Sequence, residues 1–204
     1  MDHRLFCKPD SQIPAGWILY SKEIAEPSGV VEFRSLDLSK DLDTIYGWVN
    51  QAYSKRFWQL NGTKTLVETT YFRILKNSGT HSFIGLLNGR PVSQIDVYLL
   101  SVDELGKEVL DLKSNDCGFH LLMIPPQQSF KGLSKSILRA FFEFYFSFDE
   151  SGRLFAEPDR ENTLANRLGL STGMEFLYKV RLSYKEANLY CITKKQFHET
   201  QPDH

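Results

Sequence analysis

One stretch of this chain constrains its fold more than any other. Asn115-Asp116-Cys117-Gly118-Phe119-His120-Leu121-Leu122-Met123 reads as a buried strand, apolar almost throughout once past its polar head. Pro125-Pro126-Gln127-Gln128 ends it, because proline cannot donate to a strand ladder. Ser129 to Lys135 is then a small basic loop around Gly132, and from Ile137 to Phe148 the chain is apolar enough for a helix packed on a sheet. A strand that passes through a glycine-containing loop into a helix aims unpaired N–H groups and the positive end of the helix dipole at one point. That is a cradle for phosphate. The plainer reading of Lys131-Gly132-Leu133-Ser134-Lys135 is a surface turn with two lysines. A nucleotide-binding Walker loop is excluded, since Ser134-Lys135-Ser136 lacks the upstream glycine at the required spacing.

The rest of the pattern alternates strands with helices. Trp17 to Tyr20 reads as a short edge strand and Val30 to Arg34 as the first full one. Leu42, Ile45, Tyr46, Val49 and Ala52 recur at helical spacing and predict a helix over 37–53, capped by Asp37 or Ser39. A second helix is expected over 63–76, with a stripe through Leu66, Thr70 and Ile74. Strands over 81–87 and 92–100 flank Asn88-Gly89, the strongest short hairpin signal. Residues 101–114 read as a charged loop. A short strand over 153–156, a helix over 161–170 closed by Ser171-Thr172-Gly173, and two antiparallel strands over 174–182 and 187–193 complete the order.

Composition removes several classes of function. The 204 residues carry a net charge of -1 and no dense Lys/Arg block, so nothing argues for a nucleic-acid surface. No run reaches the roughly 18 apolar residues a membrane span needs, and residues 1–20 lack the apolar segment of a signal peptide. A cytoplasmic location is expected. Cys7, Cys117 and Cys191 are far apart without metal-ligand spacing, which predicts reduced thiols and no metal site. With 15 Phe, 9 Tyr and 3 Trp, either an aromatic pocket or a Phe-rich core is open.

The element order and a series of motifs resemble the GNAT superfamily of acyl-CoA N-acyltransferases. In series come Trp48-Val49-Asn50, Phe57-Trp58, Thr80-His81-Ser82 and Gly85 through Asn88-Gly89-Arg90-Pro91. Then follow Asp116-x-Gly118-x-His120-Leu121-Leu122, Gly132 and Glu157-Pro158-Asp159-x-x-Asn162. From about residue 30 to about 197 the chain is similar to the acyltransferases that make hydroxamate siderophores of the aerobactin, rhizobactin and alcaligin type. It departs from that pattern in two places. Ser129 and Ser134 stand where the family loop has a basic residue or Gln and a last Gly or Ala. Gln94-Ile95-Asp96-Val97-Tyr98 replaces a Tyr-Trp-Glu-like segment.

The resemblance implies an α/β (α+β) GNAT fold: a mixed, mostly antiparallel sheet, splayed between two central strands and flanked by helices. It implies an N-terminal arm over 1–29 and an acyltransferase domain over 30–204. Acetyl-CoA or succinyl-CoA would be the acyl donor. Backbone at His120, Leu121, Leu122 and Met123 would bind the thioester and pantetheine. Lys131, Gly132, Leu133, Ser134 and Lys135 would hold the pyrophosphate, and Asn162 the pantetheine arm. His81 and Asp116 would handle the departing proton. Trp48, Asn50 and Trp58 would line the channel for a small amine acceptor. For each there is a plainer reading: a satisfied strand-end His81, a turn residue at Asp116, packing aromatics, and a helix cap at Asn162. Cys117 is read as a core residue, because no paired base accompanies it.

The expected reaction is transfer of an acyl group to the hydroxylated nitrogen of a small diamine or lysine derivative, by a monomer or homodimer. Three alternatives stay open: a GNAT enzyme for another small amine or an aminoglycoside, a transacylase using carrier-protein thioesters, and a non-catalytic acyl-CoA-binding module.

Overall fold

The protein, seen in a computed structural model, is described over residues 5–200 apart from Ser11, Ile13, Pro27 and Gln59. Strand β1 (Ile18–Ala25) pairs antiparallel with β2 (Ser28–Ser35) from end to end, so the segment expected as an arm contributes a strand. Helix α1 (Leu38–Val49) is capped by Asp37, whose Oδ1 accepts from the Ser39 N–H at 3.0 Å. The helix expected to run on to residue 53 stops early. Asn50 turns its side chain back, donating from Nδ2 to Tyr46 C=O at 3.0 Å and accepting the Gly62 N–H on Oδ1 at 3.1 Å. A single turn, α2 (Ala52–Lys55), follows. Helix α3 (Lys64–Lys76) is capped by Thr63, and its buried face runs through Val67 and Tyr71; Leu66, expected in the stripe, is exposed.

Strands β3 (Thr80–Leu87) and β4 (Arg90–Leu99) are joined by Asn88 and Gly89 at φ 50° and 75°. Both central residues of a type I′ turn need positive φ, which is why Asn-Gly favours it. Residues 100–107 form two 3₁₀ turns instead of an open loop. Then come β5 (Cys117–Met123), α4 (Leu133–Phe146), β6 (Leu154–Ala156), α5 (Thr163–Ser171), β7 (Glu175–Arg181) and β8 (Glu186–Ile192). A last helix, α6 (Lys194–Glu199), was not anticipated. It begins with a capping box between Thr193 and Gln196. Phe197 fastens it, its ring lying 5.7 Å from Phe146 and 6.3 Å from Phe142.

The eight strands lie in the order β1-β2-β3-β4-β5-β6-β8-β7. The sheet is mixed: β5 and β6 are parallel, whereas β1–β2, β2–β3, β6–β8 and β7–β8 are antiparallel. The parallel pair is short. It has two matched positions, Cys117↔Leu154 and Gly118↔Phe155, while β5 runs on to Met123.

By packing, the chain forms two compact units. One comprises residues 97–120 and 141–200 with Leu5; the other comprises 6–96 and 121–140. The first has a core of stacked aromatics, with Phe119 5.9 Å from Phe142 and 6.1 Å from Phe141. The second buries Val31, Phe33, Ile45, Val49, Val67, Tyr71 and Phe83. Most of the phenylalanine is therefore core material.

Candidate active site

In the first unit, three side chains from separate segments meet at one carboxylate. Glu157, just past β6, has a side chain 1% exposed. Its Oε1 lies 2.9 Å from His120 Nε2 and 3.2 Å from Lys185 Nζ, and its Oε2 accepts the Tyr98 hydroxyl at 3.1 Å. Burial alone would raise the Glu157 carboxyl. The His120 and Lys185 cations outweigh it and hold the group at about 2. Tyr98 is shifted the other way, well above the phenol range, first by burial and then by the Glu157 charge, so it remains a hydrogen-bond donor.

The contact with Glu157 also sets the chemistry of His120. With Nε2–H donating to a carboxylate, a neutral ring carries its lone pair on Nδ1. The side chain is 40% exposed, so the imidazole is partly open while its anchor is buried. The imidazole is therefore held in one orientation by its buried anchor.

A glycine makes the cluster possible. A Cβ at Gly118 would meet the Tyr98 ring at 2.4 Å. Only glycine at that strand position leaves room for the ring, which then reaches Glu157 and lies 4.9 Å, centroid to centroid, from His120. Tyr98, Glu157 and Lys185 were not among the side chains anticipated, and His120 was expected to act through its backbone. The available signal was Gly118 itself, since glycine inside a strand often marks a close approach.

The proposed phosphate loop lies in the second unit. Gly132 has φ 87°, and its carbonyl accepts the Ser136 N–H at 3.0 Å, closing the first turn of α4. The N–H groups of Ser134 and Lys135 precede that bond, so they fall among the donors a helix leaves unpaired. Lys131, Gly132 and Lys135 are exposed, while Leu133 is fully buried and pins the helix start. At the end of β5, Met123 C=O accepts the Tyr53 hydroxyl at 2.5 Å; burial pushes Tyr53 up to about 12. Leu121 is half-buried and Leu122 buried.

The remaining expected residues are variously placed. Asp116 is fully buried. Its oxygens accept from Arg153 Nε at 3.1 and 3.2 Å, Arg153 NH2 at 2.6 Å, and the Lys113 and Arg153 N–H groups at 2.8 and 3.2 Å. His81 belongs to the other unit. It is 2% exposed, with Nε2 2.8 Å from Ser35 Oγ and its ring 4.1 Å from Phe83. Asn162 caps α5, its Oδ1 accepting the Ala165 N–H at 3.1 Å. Trp48 is buried in α1, Asn50 makes the cap already described, and Trp58 is half-buried. Burial pushes Cys117 up to about 11. Among the described residues, no group of three or more His, Cys, Asp or Glu is arranged to hold a metal ion, and no helix is long and apolar enough to cross a membrane.

The Acetyltransferase (GNAT) domain model matches residues 37–182; the chain belongs to this family and is an N-acyltransferase. It is 24% identical over 177 residues to N-hydroxyputrescine acetyltransferase of Acinetobacter baumannii, across 87% of this chain and 84% of that one. It is 28% identical over 94 residues to N(6)-hydroxylysine O-acetyltransferase of Escherichia coli, across 46% of this chain and 30% of that one. Among solved structures, aminoglycoside acetyltransferase AAC(6')-Ib with paromomycin and acetyl-CoA matches with a TM-score of 0.76 at 25% identity. That match covers 85% of this chain and 99% of the other. An uncharacterized protein of Bacillus halodurans matches with a TM-score of 0.82 at 22% identity, over 88% and 92%.

Proposed function

We propose that this enzyme transfers an acetyl or succinyl group from coenzyme A to the hydroxylated nitrogen of a small amine, producing a hydroxamate for siderophore assembly and iron acquisition. N-hydroxyputrescine, N-hydroxycadaverine and N6-hydroxylysine are the proposed acceptors. The observation that carries this reading is the His120–Glu157 pair, anchored beside the last paired residues of β5 and β6. The names of the Acinetobacter and Escherichia relatives support the acceptor class, and acetyl-CoA in the AAC(6')-Ib structure supports the donor.

The thioester is assigned to the β5 backbone at His120, past the last β6 partner, and the Lys131–Lys135 loop of the other unit is proposed separately as the phosphate cradle. The acceptor nitrogen attacks the thioester carbonyl and loses its proton to the His120 imidazole. Glu157 keeps the ring oriented and stabilises the imidazolium as it forms. The C–S bond breaks, and the departing thiolate of coenzyme A takes up a proton. A positioned base of this kind supplies about 10²–10⁴ in rate, and holding the reactants together supplies up to about 7–11 kcal/mol. An N-hydroxylated amine is less basic than its parent, so it is largely free base at neutral pH.

This assignment moves the proton role expected of His81 and Asp116 to His120. Asp116 anchors Arg153, and His81 ties β3 to Ser35. Asn162 caps α5, and Trp48, Asn50 and Trp58 are proposed as acceptor contacts of the second unit. Because the donor is a cellular thioester, the enzyme acts in the cytoplasm.

The test is an acceptor panel with acetyl-CoA and succinyl-CoA: each hydroxylated amine, its unhydroxylated parent, and paromomycin. Preferred turnover of a hydroxylated amine, with a ferric-hydroxamate colour that an O-ester would not give, supports the proposal. Preference for a parent amine or the aminoglycoside would overturn it.

A further inference from the structure

Lys185 plays no part in the proton transfer just described, yet its ammonium is fixed on the carboxylate at the centre of the cluster. It sits in the turn between β7 and β8, where Leu182 N–H donates to Lys185 C=O at 2.9 Å. Glu104 holds that turn from outside, taking the Ser183 N–H at 2.7 Å and the Ser183 hydroxyl at 2.8 Å. The Lys185 side chain is 16% exposed, and its ammonium is 5.3 Å from the centre of the Tyr184 ring. A lysine ordinarily keeps its charge in water. This one is fixed against a buried carboxylate, on the same oxygen that His120 contacts.

We propose that Lys185 is a positioning residue that balances the charge of Glu157, so that the carboxylate orients His120 without holding a proton on it. The inference rests on His120 being the base. A buried carboxylate alone beside an imidazole favours the imidazolium, which is the wrong state for a base. A second cation on that carboxylate stabilises the same negative charge and repels a proton from the ring. The carboxylate therefore keeps its hydrogen bond while its pull on the proton is partly cancelled.

The charged and titratable groups facing this point within the unit come from every neighbouring segment. Tyr98 arrives from β4, and Asp103 and Glu104 from the 3₁₀ turns. Glu157 follows β6, and Tyr184 and Lys185 lie in the β7–β8 turn. On the strand of His120 itself, the nearest carboxylate upstream is Asp116, already neutralised by Arg153. Lys185 is the one cation, apart from His120, that bonds Glu157 among the described residues.

The experiment follows the His120 imidazole by NMR across pH, beside kcat at saturating acceptor, in wild type, Lys185→Met, Lys185→Gln and Lys185→Arg. The expected result is an upward shift of the His120 titration and of the acid limb of kcat by about one pH unit in both neutral variants. Arginine should restore the wild-type position. Glutamine keeps a donor without charge, so an unmoved titration in Lys185→Gln overturns the proposal even where Lys185→Met shifts or fails to fold. A His120 titration that moves without any matching acid limb in wild-type kcat would refute the base assignment while leaving the electrostatic role of Lys185 standing.

Discussion

Tyr98 and Gly118 are mutually dependent: the phenol ring fills the space where any other residue at 118 would carry its Cβ, 2.4 Å from the ring. Tyr98 in turn donates to Glu157, which holds His120. The Gly118→Ala variant must therefore displace the ring or bend the strand. Overpacking of this kind costs about 1–3 kcal/mol. Urea unfolding should show that loss, and kcat should fall with it. Tyr98→Phe keeps the ring and removes only the hydroxyl, so it should lower kcat with a smaller change in stability.

Glu157 links acid sensitivity to the same cluster. Its carboxyl is held at about 2 in the folded protein, burial being overcome by His120 and Lys185, against roughly 4.3 in an unfolded chain. A depressed carboxylate stabilises the fold above the unfolded value and loses that contribution as pH falls towards the folded one. Unfolding measured at pH 6, 4 and 3 should show wild type losing more stability than Glu157→Gln over that interval. Parallel losses would remove Glu157 as the source.

Asp116 has all of its visible work in structure. Removing it leaves Arg153 without the carboxylate that takes its Nε and NH2 groups. Breaking a buried pair costs about 3–5 kcal/mol, and the partial exposure of Arg153 puts Asp116→Ala at the lower end. Thermal unfolding should register the loss, and kcat per folded molecule should fall much less than in a His120 variant. The opposite ranking would return Asp116 to the mechanism.

The loop before α4 predicts a binding defect of a different kind. Gly132 has φ 87°, in the left-handed region, so Gly132→Ala strains the backbone although nothing lies within 4 Å of the added carbon. Both that variant and a Lys131→Ala/Lys135→Ala double variant should raise the Kd of coenzyme A measured by calorimetry. The double variant should also lose most of the salt dependence, because exposed ammonium groups are screened.

The sequence carried most of the framework because local signals fixed it. Asn88-Gly89 gave a hairpin, Asp37 a cap, and the apolar run after Gly132 a helix. Where local signals ended, so did legibility. Asn50 stopped α1 by bonding Tyr46 and Gly62, and α6 is held by Phe197 packing on α4. The cluster itself joins Tyr98, His120, Glu157 and Lys185, which no periodicity places together. Glu157-Pro158 and His120 both stood in the family motif series, but the apolar strand around His120 pointed to a role for its backbone and not for its side chain.

The central claim is that His120 takes the acceptor proton. Single-turnover acyl transfer from acetyl-CoA to N-hydroxyputrescine, compared between wild type and His120→Ala at equal coenzyme A occupancy, tests it most directly. A fall in the transfer rate of about 10²–10⁴ with coenzyme A affinity changed only a few-fold is the predicted result. Transfer at the wild-type rate by the His120→Ala enzyme would contradict it.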